Sequence, residues 1–149
     1  MSDSQPTHDD AELILKLYDL RREPVMREAR AYFANLPPTE DNFLKVVANP
    51  GSKENSYVRQ VAGYWEMAAS FVNHGVLNAA LAFDTLQEMY FVYAKIKPFL
   101  SGLREKTNTP DFLINMEKLA ESTAETRARV ARVQARIAAR FPEAAKVNA

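Results

Sequence analysis

Residues Tyr57–Gly75, YVRQVAGYWEMAASFVNHG, decide the fold of this chain. On a helix, Val58, Val61, Ala62, Trp65, Ala68, Ala69 and Val72 recur three and four apart and share one face, which Tyr64 and Phe71 widen. A helix apolar over so much of its surface needs several neighbours to cover it, so this stretch is predicted to be the central core helix. Gly63 has no side chain and is expected to admit a close neighbour, at about 1 kcal/mol of helix propensity relative to alanine. Gly75 stands where a left-handed residue would close the helix.

Toward the N-terminus the same periodicity continues. Leu13, Ile14, Leu17, Tyr18 and Leu20 predict a helix from Asp9, whose first acids complement the positive end of its dipole. Pro24 lacks an amide hydrogen and crowds the carbonyl of Leu20, so the helix either kinks there or a second one begins. Val25, Met26, Ala29, Tyr32, Phe33 and Leu36 carry the apolar face to Pro37-Pro38. Thr39 is a good N-cap for a short helix, Glu40–Ala48, with Phe43, Leu44 and Val47 facing inward. Asn49–Asn55, NPGSKEN, reads as a loop.

Toward the C-terminus, Asn78 caps a short turn over AALAFD, and Asp84 caps or continues a long helix that Pro98 should bend or split. Thr109-Pro110 reads as the start of a last, long helix reaching Phe141, where Pro142 ends it. Its stripe Met116, Leu119, Thr123, Thr126, Val130, Val133 and Ile137 alternates three and four apart. The first half carries enough apolar surface to dock on the Trp65 helix. The second half is expected to pack on the first helix (Leu13, Leu17, Tyr18) or on another copy of the chain. No stretch has strand periodicity. The predicted fold is all-α, a compact bundle of about five to seven helices: a tail over 1–8, one domain over 9–142, and a C-terminal tail over 143–149.

Composition sets the function classes. Of 149 residues, 47% are hydrophobic and 26% charged, ordinary for a globular domain. Lys+Arg and Asp+Glu each number 19, which argues against nucleic acid or an anionic membrane as a global partner. The absence of cysteine excludes disulfides, thiol nucleophiles and thiolate metal sites. The start, MSDSQPTHDD, has neither a basic nor an apolar signal region, and the most apolar window, Val61–Phe83, is interrupted by Glu66, Asn73, His74, Gly75 and Asn78. No membrane span and a cytoplasmic location are expected.

The segments YWEMAASFVNHGVLN, YAKIKPFLSGLREK and PDFLINMEKLAE carry a resemblance. An aromatic-Glu pair on a core helix, a Gly-Val turn, a basic residue late in a long helix and an aromatic-led last helix occur in that order. Here they are Trp65, Glu66, Gly75, Val76, Arg104 and Phe112–Leu119, with Met116 where an aromatic would stand. From Trp65 to Leu119 the chain resembles a group of small, mostly bacterial, all-helical proteins classed as a domain of unknown function. Many carry a membrane helix ahead of the domain, which is not expected here. The resemblance implies the helical fold and no activity.

Among ionisable residues Glu66 is the most informative, because a lone carboxylate on the core helix costs several kcal/mol unless paired. It is either a base or ligand, with His74 or Glu88 as possible partners, or a structural pair with a neighbouring helix. A di-iron bundle would need repeated Glu-x-x-His pairs, and this chain has none. His74 beside Gly75 reads as a helix C-terminal donor. No Walker-A loop, dinucleotide fingerprint or serine-nucleophile motif occurs, and no cofactor is expected. Trp65, Glu66, Tyr90 and Tyr93 are the candidate ligand or polar-core site. Arg129, Arg132, Arg136 and Arg140 are the candidate interaction surface, without the interleaved aromatics that single-stranded nucleic acid requires. The sequence reading favours a non-enzymatic module acting by protein–protein association, including homo-oligomer formation. The alternative is a small-molecule-binding bundle using Trp65 and Glu66.

Overall fold

A helix as apolar as the Trp65 segment has to be surrounded, and in the structure, a computed structural model describing residues 4–149, it is. The helices are α1 (His8–Leu20), α2 (Pro24–Asn35), α3 (Glu40–Val47), α4 (Lys53–Asn73), α5 (Ala79–Thr85), α6 (Gln87–Ile96), α7 (Leu100–Thr107), α8 (Ile114–Ala120), α9 (Ala124–Arg140) and α10 (Pro142–Asn148). All regular structure among the described residues is helical. α2 and α8 pack most extensively on α4, and α9 packs on α6. No helix among the described residues is long and apolar enough to cross a membrane.

Val58, Val61, Ala62, Trp65, Ala68, Ala69 and Val72 are all buried, as their spacing predicts. Gly75 closes α4 at φ 74°, with the Val76 amide bonded to the Phe71 carbonyl and the Gly75 amide to Val72, the two bonds of a Schellman motif. Gly63 differs from expectation. It lies on the solvent side of α4, and a Cβ there would meet no atom within 4 Å.

Several element ends follow their caps. Pro24 opens α2 at its first turn rather than kinking α1, and Thr39 caps α3, where Val46 rather than Val47 is buried. Ser52 caps α4, so the helix begins inside the expected loop, and Asn55 is buried, donating to the Val46 carbonyl at 3.0 Å. Pro98 splits the α6–α7 rod through one 3-10 turn, Lys97–Phe99. Leu86, at φ −100° and ψ 55°, and not Asp84, separates α5 from α6.

The long last helix divides in two. Thr109 does not cap it; the turn after α7 continues to Leu113, which is left-handed at φ 57°, and α8 begins only at Ile114. It stops at Ala120, and Thr123 starts α9 through a capping box with Thr126. That break redirects the chain. α8 docks on the Trp65 helix as expected, while α9 lays Val130, Val133 and Ile137 on α6 rather than on the Leu13–Leu17–Tyr18 face of α1. At the chain ends, residues 1–3 of the expected tail lie outside the described residues. Thr7 caps α1, Ser4 accepts from Asn78 at 2.6 Å, and residues 142–148 form α10 where a tail was expected.

Candidate functional site

Glu66 points at the uncapped start of α8. Leu113, at the N-cap position of that helix, supplies no side-chain acceptor. The Glu66 carboxylate takes the role instead, accepting from the Asn115 amide at 2.7 Å, the Met116 amide at 3.0 Å and the Asn115 side chain at 3.0 Å. The first amides of a helix need acceptors, and a carboxylate there also meets the positive end of the dipole. Asn73, two turns further along α4, donates to the Asn115 carbonyl at 3.0 Å. Arg104 completes the junction, donating to the Phe112 carbonyl at 2.7 Å and 2.9 Å and pairing with Glu117 at 3.2 Å. Glu66 thus accepts three hydrogen bonds from the start of α8, and among the described residues neither Glu88 nor His74 bonds to it. His74 is exposed, with Nδ1 2.9 Å from the Ser70 carbonyl. No group of three or more His, Asp or Glu able to hold a metal occurs among the described residues.

Trp65 is 0% exposed and faces a different set of partners from Glu66. Tyr64 stacks edge-on against it at 4.8 Å, and the Arg21 guanidinium sits 5.3 Å from its ring centroid. Arg21, at the C-terminus of α1, and Arg30, on α2, both reach Glu88 of α6 at 2.6 Å. Burial pushes the Glu88 carboxyl up, but the Arg30 hydrogen bond and the charges of Arg21 and Arg30 outweigh it and hold the group below its ordinary value. The Arg21 Nε is buried without a hydrogen bond, and the Trp65 indole N–H is directed at Glu88, where it helps hold the carboxyl down, at a geometry too poor for a full hydrogen bond. Tyr64 donates to the Leu17 carbonyl, and burial pushes its phenol up to about 12. This triad ties α1 and α2 to α6 across the face of Trp65. Sequence spacing does not reveal it, since its members stand 58 and 67 residues apart.

Tyr90 and Tyr93 diverge in turn. Tyr93 donates to Glu121 at 2.9 Å, beside the Lys97–Glu121 ion pair at 2.7 Å. Tyr90 packs edge-on against Phe83 and borders a cavity of about 580 Å³ along the Ser4–Pro6 arm. A second cavity of about 790 Å³, on the other side of that arm, is lined by Asp10, Val72, His74 and Asn78. Trp65, Glu66 and Tyr93 line neither.

The α9 arginines also separate. Arg129 stacks its guanidinium 3.4 Å from the Phe83 centroid and donates to the Phe83 carbonyl, so it is part of the packing. Arg140 donates to the Asn35 side chain at 2.8 Å. Arg132 and Arg136 are exposed, and neither makes an ion pair among the described residues.

One buried cation escaped the sequence reading. Lys95 is 1% exposed, with Nζ 2.5 Å from the Phe33 carbonyl and 3.3 Å from that of Ala34, at the C-terminal end of α2. Phe33, Phe91 and Phe141 turn their rings toward it at 5.0, 5.7 and 4.9 Å. Burial, helped by the charge of Arg140, lowers its ammonium to about 7. Its only signal in the sequence is a lysine set in the apolar run MYFVYAKI.

Of the residues that carry the family resemblance, Glu66, Arg104 and Phe112 meet around the start of α8, while Trp65 faces Tyr64 and Arg21 instead. Gly75 ends α4, Glu66 starts α8, and Arg104 clamps the turn between α7 and α8. No characterised protein and no solved structure matches the chain. Residues 6–123, ending on the cap of α9, match the family described as Domain of unknown function (DUF4760), and the chain belongs to that family.

Proposed function

We propose that the domain acts non-enzymatically, by protein–protein association, with the outer face of α9 as the contact surface for an acidic partner. The observation that carries this reading is the pair Arg132 and Arg136, exposed one turn apart and in no ion pair among the described residues. Between Thr126 and Pro142 the chain contains four arginines at positions beyond Arg127 and no acid, so the positive face of α9 is not neutralised from within the helix. A complementary surface exists on the same chain. On α1 the exposed Glu12, Leu15 and Asp19 set an apolar side chain between two acids, with Leu15 68% exposed and Lys16 an exposed base among them. A two-fold pair of chains would bring each α9 against the other's α1, each contact made twice. The charges favour encounter and register, and the leucine contributes the apolar burial.

Light scattering at several protein concentrations and two salt concentrations tests this reading. A dimer in low salt that weakens as salt rises, and that is lost in Arg132→Glu/Arg136→Glu, supports it. A wild type that remains monomeric at high concentration removes self-association, and an acidic partner then has to be sought by cross-linking in cell extract.

The cavity beside Tyr90 supports a second reading, small-molecule binding, since about 580 Å³ lies within the range of roughly 300–1,000 Å³ of ligand pockets. Trp65 and Glu66 would contribute to such a site only indirectly. A ligand-dependent thermal shift abolished by Tyr90→Ala in a folded protein would favour it.

A further inference from the structure

Lys95 is a cation that has been given no counter-ion. No carboxylate lies within ion-pair distance among the described residues; Arg140 is the charged group that acts on it, and repels it. Two carbonyls at the negative end of α2 and three phenylalanine faces hold the head of the side chain. Beside it lies a cavity of about 250 Å³, walled by Pro38, Phe99, Ile137, Phe141 and Ala145. Its outer wall is α10, which buries one residue, Ala144, and is pinned to the body by the Asn148 side chain donating to the Pro38 carbonyl at 2.8 Å. The main packing of α10 is on α9.

We propose that Lys95 and this cavity form a covalent site for small apolar aldehydes, which the lysine captures as an iminium. The neutral amine attacks the carbonyl carbon, a C–N bond forms, and the carbonyl electron pair moves to oxygen. A proton passes from nitrogen to that oxygen. The carbinolamine takes up one further proton from solvent and expels water, leaving a C=N bond with one hydrogen and a positive charge on nitrogen. That product suits its surroundings better than an anionic adduct would. It keeps a positive charge for the three ring faces and one N–H for the Phe33 carbonyl, while the aldehyde's carbon tail enters the apolar cavity. The volume, below the roughly 300–1,000 Å³ of larger ligand pockets, sets the size to that of hexanal or benzaldehyde. The ammonium lowered to about 7 is compatible with the chemistry, because an appreciable fraction of Lys95 is unprotonated at neutral pH. An ordinary lysine at pH 7.5 is neutral to only about one part in a thousand.

Reductive trapping tests the site on the full chain. The protein is treated with sub-stoichiometric hexanal and cyanoborohydride at pH 7.5, and the adducts are mapped by peptide mass spectrometry. Lys95 should be modified at least about tenfold faster than the exposed Lys16 and Lys118, given its far larger neutral fraction. Its rate should reach half its maximum near the pKa of about 7. Lys95→Met, shown folded by circular dichroism, should lose this fast adduct. Modification of Lys95 only in denatured protein, or at the pace of the surface lysines, overturns the proposal even if the variant does not fold. A rate with glyoxylate equal to that with hexanal overturns the role of the apolar cavity.

Discussion

The carboxylate of Glu66 accepts the backbone amide of Met116 at 3.0 Å, so a side chain in the middle of α4 serves as the cap of a helix that starts 48 residues later. Hydrogen bonds to a charged group contribute roughly 1.5–3 kcal/mol each when buried, and less here, where the three bonds are half-buried and water can replace the lost acceptor. Glu66→Ala should therefore lower stability by about 2–3 kcal/mol, and Glu66→Gln, which keeps an acceptor without the charge, by about half that. Urea unfolding of the two variants checks this. Equal losses would mean that the charge contributes nothing to starting α8.

Trp65→Ala removes the largest fully buried side chain and should cost about 3–5 kcal/mol. Because the Arg21 guanidinium lies over that ring, the variant also loosens the Glu88 triad. A thermal midpoint within two or so degrees of wild type would contradict the burial of Trp65.

Gly63→Ala goes the other way. The position is helical, exposed and open, so alanine gains helix propensity and meets nothing. An increase of about 0.5–1 kcal/mol is expected in denaturant unfolding. A loss would show a neighbour close to this face after all.

Two ionisable groups, the half-buried Glu88 and the buried Lys95, have lowered folded pKa values, so both make stability rise with pH, in two separate windows. Glu88 has its folded pKa below the ordinary 4.5, so its contribution is complete above that value and is lost as acid takes the pH down through the folded pKa. Lys95 has its folded pKa lowered from 10.5 to about 7. Between those two values the unfolded chain holds more protons than the folded one, so stability rises with pH across this window. Measured against Lys95→Met at pH 6, 8 and 10, wild type should gain progressively. A flat difference would show that Lys95 stays charged throughout.

Much of the core was legible in the sequence because burial of α4 is written in its periodicity. All seven residues placed on its inner face are buried. The caps Thr39 and Asn78 were equally legible, since each needs only a local pattern. The division of the last helix was not, because Thr123 also fits the apolar stripe and only the capping box with Thr126 shows that the chain turns there. The polar joints were invisible for a different reason. Glu66 finds its partners in backbone amides, which have no sequence signature, and Arg21, Arg30 and Glu88 converge only through the packing of three helices. The candidate residues Trp65 and Glu66 look toward different elements because adjacent positions on a helix point about 100° apart, and Tyr90 and Tyr93, nearly a turn apart along α6, reach Phe83 and Glu121 respectively.

Removing residues 124–149 should not leave a stable folded body. α9 covers α6, and without it the buried Tyr90 and Tyr93 face water. Loss of the cooperative thermal transition by circular dichroism is expected. A truncated chain that melts cooperatively near the wild-type temperature would show α9 to be an appendage.

The borrowed cap of α8 also orders events in time. A helix of seven residues is too short to persist alone, and this one has no acceptor of its own for its leading amides. It can settle only once α4 exists and the intervening chain has closed a loop of about fifty residues, an entropic toll that local contacts do not meet. α2 and α4, packed on each other and separated in sequence only by the short α3, can associate beforehand. In pulse-labelled refolding the amides of Asn115 and Met116 should gain protection after those of Val61 and Ala62, so α8 is among the last elements to lock.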